Sequence, residues 1–79
     1  MGLAIEIYLA DGTVHTIAMC YSSFSRKVMN PDEMVEYGFT DYDGVYEGVQ
    51  LLFLITRLVR SGYLETGEFE SPPLIARFC

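Results

Sequence analysis

Leu3, Ile5, Ile7 and Leu9 alternate with Ala4, Glu6 and Tyr8, the two-residue period of a strand that buries one face. Asp11-Gly12 follows, a dipeptide suited to the positive φ angles of a two-residue type I′ turn. With Ala10 paired to Thr13, the returning strand sets Val14 opposite Leu9, Thr16 opposite Ile7, Ala18 opposite Ile5 and Cys20 opposite Leu3. The register matters because a slip of one residue turns the whole second strand over. In this register Tyr8, His15, Ile17 and Met19 share the outer face with Ala4 and Glu6. That face is more apolar than open water favours, and it invites a second layer or a partner.

Ser22 to Lys27 is polar and reads as a connection. Asn30-Pro31-Asp32-Glu33 then has Asn as N-cap, Pro in the first position and Glu reaching back as a capping box, so a short helix is expected from about Pro31 to Tyr37. Gly38 suits the left-handed position after its end. Thr40 to Gly44 is a second start signal, with Thr40, Asp41 or Asp43 capping a longer helix that runs to about Ser61 and ends at Gly62. On a wheel, Val45, Val49, Leu51, Leu52, Leu54, Ile55, Leu58 and Val59 cover more than half of its circumference. A surface helix needs an apolar stripe of only about 100°. The excess calls for a second neighbour, and Phe53, Leu54, Arg57 and Leu58 are the candidate dimer or secondary contacts.

Tyr63 to Glu70 fits either a short hairpin or an extended connection, Ser71-Pro72-Pro73 breaks the chain, and Leu74 to Phe78 alternates as a last strand. The expected architecture is a single α+β domain over residues 1–79, in the order ββααβ. The N-terminal hairpin and the C-terminal strand form one antiparallel layer, packed against one short and one long helix.

Composition narrows the function more than the fold. The 79 residues are 51% hydrophobic and carry eleven acids against five Lys and Arg, a formal charge of −6. That apolar content excludes a disordered tail, and the charge argues against direct binding of nucleic acid, which needs a basic face for the phosphates. The longest apolar run, Leu51 to Ile55, is five residues, whereas a membrane span needs about 18. No basic segment with a following apolar core resembles a signal peptide. Cys20 and Cys79 have no metal-ligand spacing and are too few for a disulfide framework, so a reduced, cytoplasmic protein is expected.

Catalysis is poorly provided for. His15 is the single histidine and reads as a cross-strand partner of Tyr8, while Cys20 reads as a core residue on the opposite face, which keeps the two apart. No glycine-rich phosphate loop is present. Asp41-Tyr42-Asp43-Gly44 with Glu47 begins like a calcium loop but lacks the spacing and the ligand count. Acids that cap a helix explain the same residues. No enzyme, metal or cofactor is expected.

Charge placement is the more telling feature. Between Val28 and Thr56 lie six acids, Asp32, Glu33, Glu36, Asp41, Asp43 and Glu47, and no base. Tyr37, Tyr42 and Tyr46 are interleaved with them, and surface tyrosines make rigid anchors for protein partners. These nine residues form the candidate partner-binding face. The expected function is a non-enzymatic protein-binding module whose acids meet a basic partner surface, by analogy of size and charge with phage and mobile-element inhibitors of the anti-restriction and anti-CRISPR type. A homodimeric assembly module is the first alternative. A winged-helix DNA reader is the second, suggested by Arg57 to Glu65 followed by a possible wing and weakened by Glu65, Glu68 and Glu70 in that wing.

Overall fold

Asp11 keeps a negative φ while Gly12 takes +90°, and this difference sets the geometry of the first hairpin. In the computed structural model, which describes residues 2–40 and 43–79, strands β1 (Gly2–Leu9) and β2 (Val14–Cys20) are joined by four residues, of which Thr13 bonds back to Leu9 and leaves a three-residue loop, Ala10 to Gly12. The amide of Gly12 donates to the Leu9 carbonyl at 3.0 Å and that of Leu9 to the Thr13 carbonyl at 2.9 Å. This is a tight turn closed by a glycine bulge, the next commonest hairpin after the two-residue ones. The Asp11 carboxylate accepts from both the amide and the hydroxyl of Thr13, at 2.9 and 2.6 Å. Those bonds pull its pKa below the usual carboxylate value.

The extra loop residue shifts the expected register by one. Leu3 pairs with Met19, Ile5 with Ile17 and Ile7 with His15, so Ile17, Met19 and His15 face inward. Val14, Thr16, Ala18 and Cys20 lie on the outer face, and all four are exposed. The slip resolves the surplus of apolar side chains on that face, because Ile17 and Met19 belong to the core side. His15 is opposite Ile7, not Tyr8, and Cys20 is exposed, not buried.

Strand β4 (Pro73–Phe78) pairs antiparallel with the other edge of β1, and a two-residue strand β3 (Val45–Tyr46) pairs with β4. The sheet order is β2-β1-β4-β3. One face carries the helices. After β2, a helical turn α1 (Tyr21–Ser23) continues as a π-helical turn over Phe24–Val28. Its polar residues hid it, but Phe24 and Val28, four residues apart, are both buried. Helix α2 (Pro31–Glu36) has the full capping box. It ends with Gly38 at φ +81° and the Phe39 amide donating to the Met34 carbonyl, the paired bonding of a glycine-terminated helix.

Helix α3 (Gly48–Arg60) starts later than expected because Val45 and Tyr46, a β-branched and an aromatic residue, are spent on β3. Gly48 then turns the chain with φ +62°. Its other end conforms to expectation: Gly62 has φ +87°, and the Tyr63 amide donates to the Leu58 carbonyl. Leu54 and Leu58 are fully buried against Phe24, Phe39, Tyr46 and Phe78 in one contiguous core. Within it the Phe39–Tyr46 and Tyr46–Phe78 ring centroids are 4.6 and 4.9 Å apart. Residues 63–70 form turns rather than paired strands, so among the described residues no two-stranded wing follows α3.

Candidate protein-binding faces

α2 and the Tyr37 that ends it are joined to α3 by three ties. Arg57 donates to both carboxylate oxygens of Glu33, with Nη1 to Oε1 at 3.0 Å, and its guanidinium sits 4.8 Å from the centre of the Phe53 ring. Tyr37 stacks on the other part of this cluster, its ring 4.3 Å from Phe53. Gln50 donates to the Tyr37 carbonyl at 2.8 Å. The hydrogen bonds from Arg57 hold the Glu33 carboxyl below the usual carboxylate range, and Glu33 in turn raises the Arg57 guanidinium. Phe53, the aromatic beside two arginines, is thus the platform on which Tyr37 and Arg57 rest.

This geometry sorts the expected binding residues. Glu33 is occupied by Arg57 and by the capping box, so it has little left to offer a partner. Tyr46 is 4% exposed inside the aromatic core and is no surface anchor. Tyr37 is 42% exposed. Asp41 and Tyr42 lie outside the described residues. Asp32, Glu36, Asp43 and Glu47 are all exposed and, among the described residues, form no ion pair. On the dimer side, Leu54 and Leu58 are core residues because they sit on the sheet-facing arc of α3, and Arg57 is taken by Glu33. The exposed apolar residues of that helix are Val49 and Leu52 instead.

The acids fall into two groups. Asp32 and Glu33 occupy the first turn of α2, where they complement the helix dipole. The first turn of α3 contains no acid, and Glu47 at its N-cap makes no side-chain cap bond. Helix capping therefore accounts for Asp32 and Glu33 but not for Glu36, Asp43 or Glu47. Exposed aliphatic side chains lie near these acids on two separate surfaces, the solvent side of α2 and the outer face of the sheet, where Val45 pairs with Arg77. Val35, 70% exposed, shares the solvent side of α2 with Asp32 and Glu36, and exposed Val45 lies between Asp43 and Glu47 in the chain. The D-x-x-V-E and D-x-V-x-E patterns are the sequence signal that could have found them.

Elsewhere the polar side chains pair with one another. His15 Nε2 lies 3.1 Å from a Glu68 carboxylate oxygen and its ring 5.2 Å from Phe69, edge to face, which ties the 64–70 segment to β2. On the outer sheet face, the Tyr8 hydroxyl donates to Glu6 at 2.9 Å and the Cys79 thiol donates to it at 3.3 Å. The Glu6 bond raises the Cys79 pKa, which disfavours the nucleophilic thiolate. His15 and Cys20 lie on opposite faces, with the sides reversed from those expected. A groove of about 500 Å³ runs between Ile55 and Val59 of α3 and Leu64, Phe69, Pro72 and Pro73.

These elements define a two-layer α+β protein, a four-stranded antiparallel sheet covered on one side by helices. No family model, curated protein or solved structure matches this chain. No helix of the described residues is long and apolar enough to cross a membrane.

Proposed function

We propose that the protein is a non-enzymatic binding module that docks its acidic helical edge on a basic protein surface, and that the surface covered is one that handles nucleic acid. The observation that carries this reading is that Glu36 and Asp43 are exposed acids without a capping role, and that Val35, also exposed, sits beside Asp32 and Glu36 on the solvent side of α2. Unpaired charge steers two proteins together over long range, whereas a few apolar anchors hold them once docked. Val35 and Tyr37 are the anchors on this reading, and Asp32, Glu36 and Asp43 supply the field. Both cysteines are free thiols, which suits a reducing, cytoplasmic setting.

The test is capture of the partner from cells that make the protein, followed by association kinetics with the purified partner. Raising salt should slow association, and so should Asp32→Asn/Glu36→Gln, because both weaken screened attraction. Val35→Ala or Tyr37→Ala should instead speed dissociation. Nucleic acid should compete for the partner. Affinity that is indifferent to salt, to the double variant and to nucleic acid would overturn the reading.

A further inference from the structure

The outward face of α3 differs from the acidic edge in carrying both signs of charge. Val49, Leu52, Phe53, Thr56 and Arg60 recur at the three- and four-residue spacing of one helical face. Val49 is 84% exposed and Leu52 67%. Leu52 stands as a ridge between two shallow grooves. One, of about 400 Å³, lies toward Ile55, Pro73 and Leu74. The other, of about 290 Å³, lies toward Phe53, Thr56 and Arg60. Glu47 is the N-cap residue before this helix and Arg60 lies in the last turn at the other end; both are exposed and, among the described residues, neither is in an ion pair.

From this arrangement we infer that the outward face of α3 pairs with the same face of a second copy, the two helices antiparallel, with Glu47 of each copy against Arg60 of the other. A two-fold contact uses the same patch on both sides, so the patch must complement itself. Glu47 and Arg60 are separated by about 20 Å of helix at 1.5 Å per residue, and the midpoint falls between Phe53 and Leu54. A two-fold axis there brings each acid to the other copy's arginine and lets each Leu52 ridge enter the other copy's groove. A parallel pairing would set arginine on arginine. Self-pairing through α2 would set Asp32 and Glu36 against themselves, so α3 is the apolar surface where the charges favour a second copy. The contact is a single helix face, at the small end of specific interfaces, and micromolar affinity is expected.

Sedimentation of the full chain across the micromolar range tests this directly. The parent should be a monomer–dimer mixture, and Leu52→Glu should be monomeric with an unchanged circular dichroism spectrum, since that side chain is mostly in water. Glu47→Arg and Arg60→Glu should each weaken the dimer about five- to tenfold, the loss of two exposed pairs per dimer. Combining them should restore affinity to near that of the parent. A parent that stays monomeric, a Leu52→Glu protein that still dimerises, or a combined variant no tighter than either single one would overturn the inference. It stands apart from the docking of the acidic edge: Asp32→Asn/Glu36→Gln should dimerise as the parent does.

Discussion

α2 begins with Asn30 accepting from the Glu33 amide, Pro31 in its first position and two acids in its first turn. α3 begins at Gly48 in a left-handed conformation, with no side-chain cap and no acid in its first turn. The six-residue helix is specified by polar groups at its ends and tied down by Arg57, whereas the thirteen-residue one is held by the row Leu51, Leu54 and Leu58 beneath it. A short helix cannot bury enough to define itself, so local hydrogen bonds decide where it starts. A long one with a buried row tolerates an uncapped start. The contrast also says which acids are free for other work: those at α2 serve the fold in part, and those preceding α3 do not.

The largest effect should come from the buried row. Leu54→Ala should cost about 2–5 kcal/mol, a large part of the stability of a domain this small, while Leu52→Ala one turn-face away should stay within about 0.5 kcal/mol. Urea unfolding of the two variants measures the difference, and comparable losses would mean that α3 is not held from below. Next, Asn30→Ala should cost about 0.5–2 kcal/mol through the lost cap, whereas Glu47→Gln at the equivalent position of α3 should be near neutral because no cap bond is lost. Equal costs at the two N-caps would erase the contrast.

The pH dependence should be a smaller effect and has a definite sign. Glu33 is held below its ordinary value of 4.5, chiefly by hydrogen bonds from Arg57. A carboxyl depressed in the folded state contributes stability that is complete above its unfolded pKa and is lost as pH falls through the folded one. Glu6 and Asp11 are depressed too, through bonds from Tyr8 and Thr13, so the parent should lose stability on acidification below 4.5. Thermal melts should show a shallower acid loss for Glu33→Gln, with the remainder carried by Glu6 and Asp11. An unchanged slope would mean that the Arg57 pair contributes nothing in water. The smallest effect concerns His15, whose substitution by Ala should loosen the 64–70 segment, seen as faster amide exchange there, with little change in global stability.

Local signals were legible wherever the physics is local. The capping box of α2, the glycine stops at Gly38 and Gly62 and the alternation of β1 and β4 can each be read from a few neighbouring residues, because the hydrogen bonds and φ angles involved span no more than a helical turn. So could the layer architecture, since the apolar rows leave few ways to be covered. The hairpin register was not legible: Asp11-Gly12 suits a two-residue or a three-residue loop, and both registers place apolar side chains on a common face. What chose between them was the core, where Ile17 and Met19 are worth more against the helices than Ala18 and Cys20 would be. Tyr46 and Val45 were lost to a helix in the reading because the edge of β4 that recruits them lies thirty residues away in the chain. The same holds for the site. Composition and order revealed an acidic stretch, but only packing could show that Glu33 belongs to Arg57 and that Tyr46 is core. Pairing and burial are properties of neighbours distant in sequence, and no local pattern encodes them.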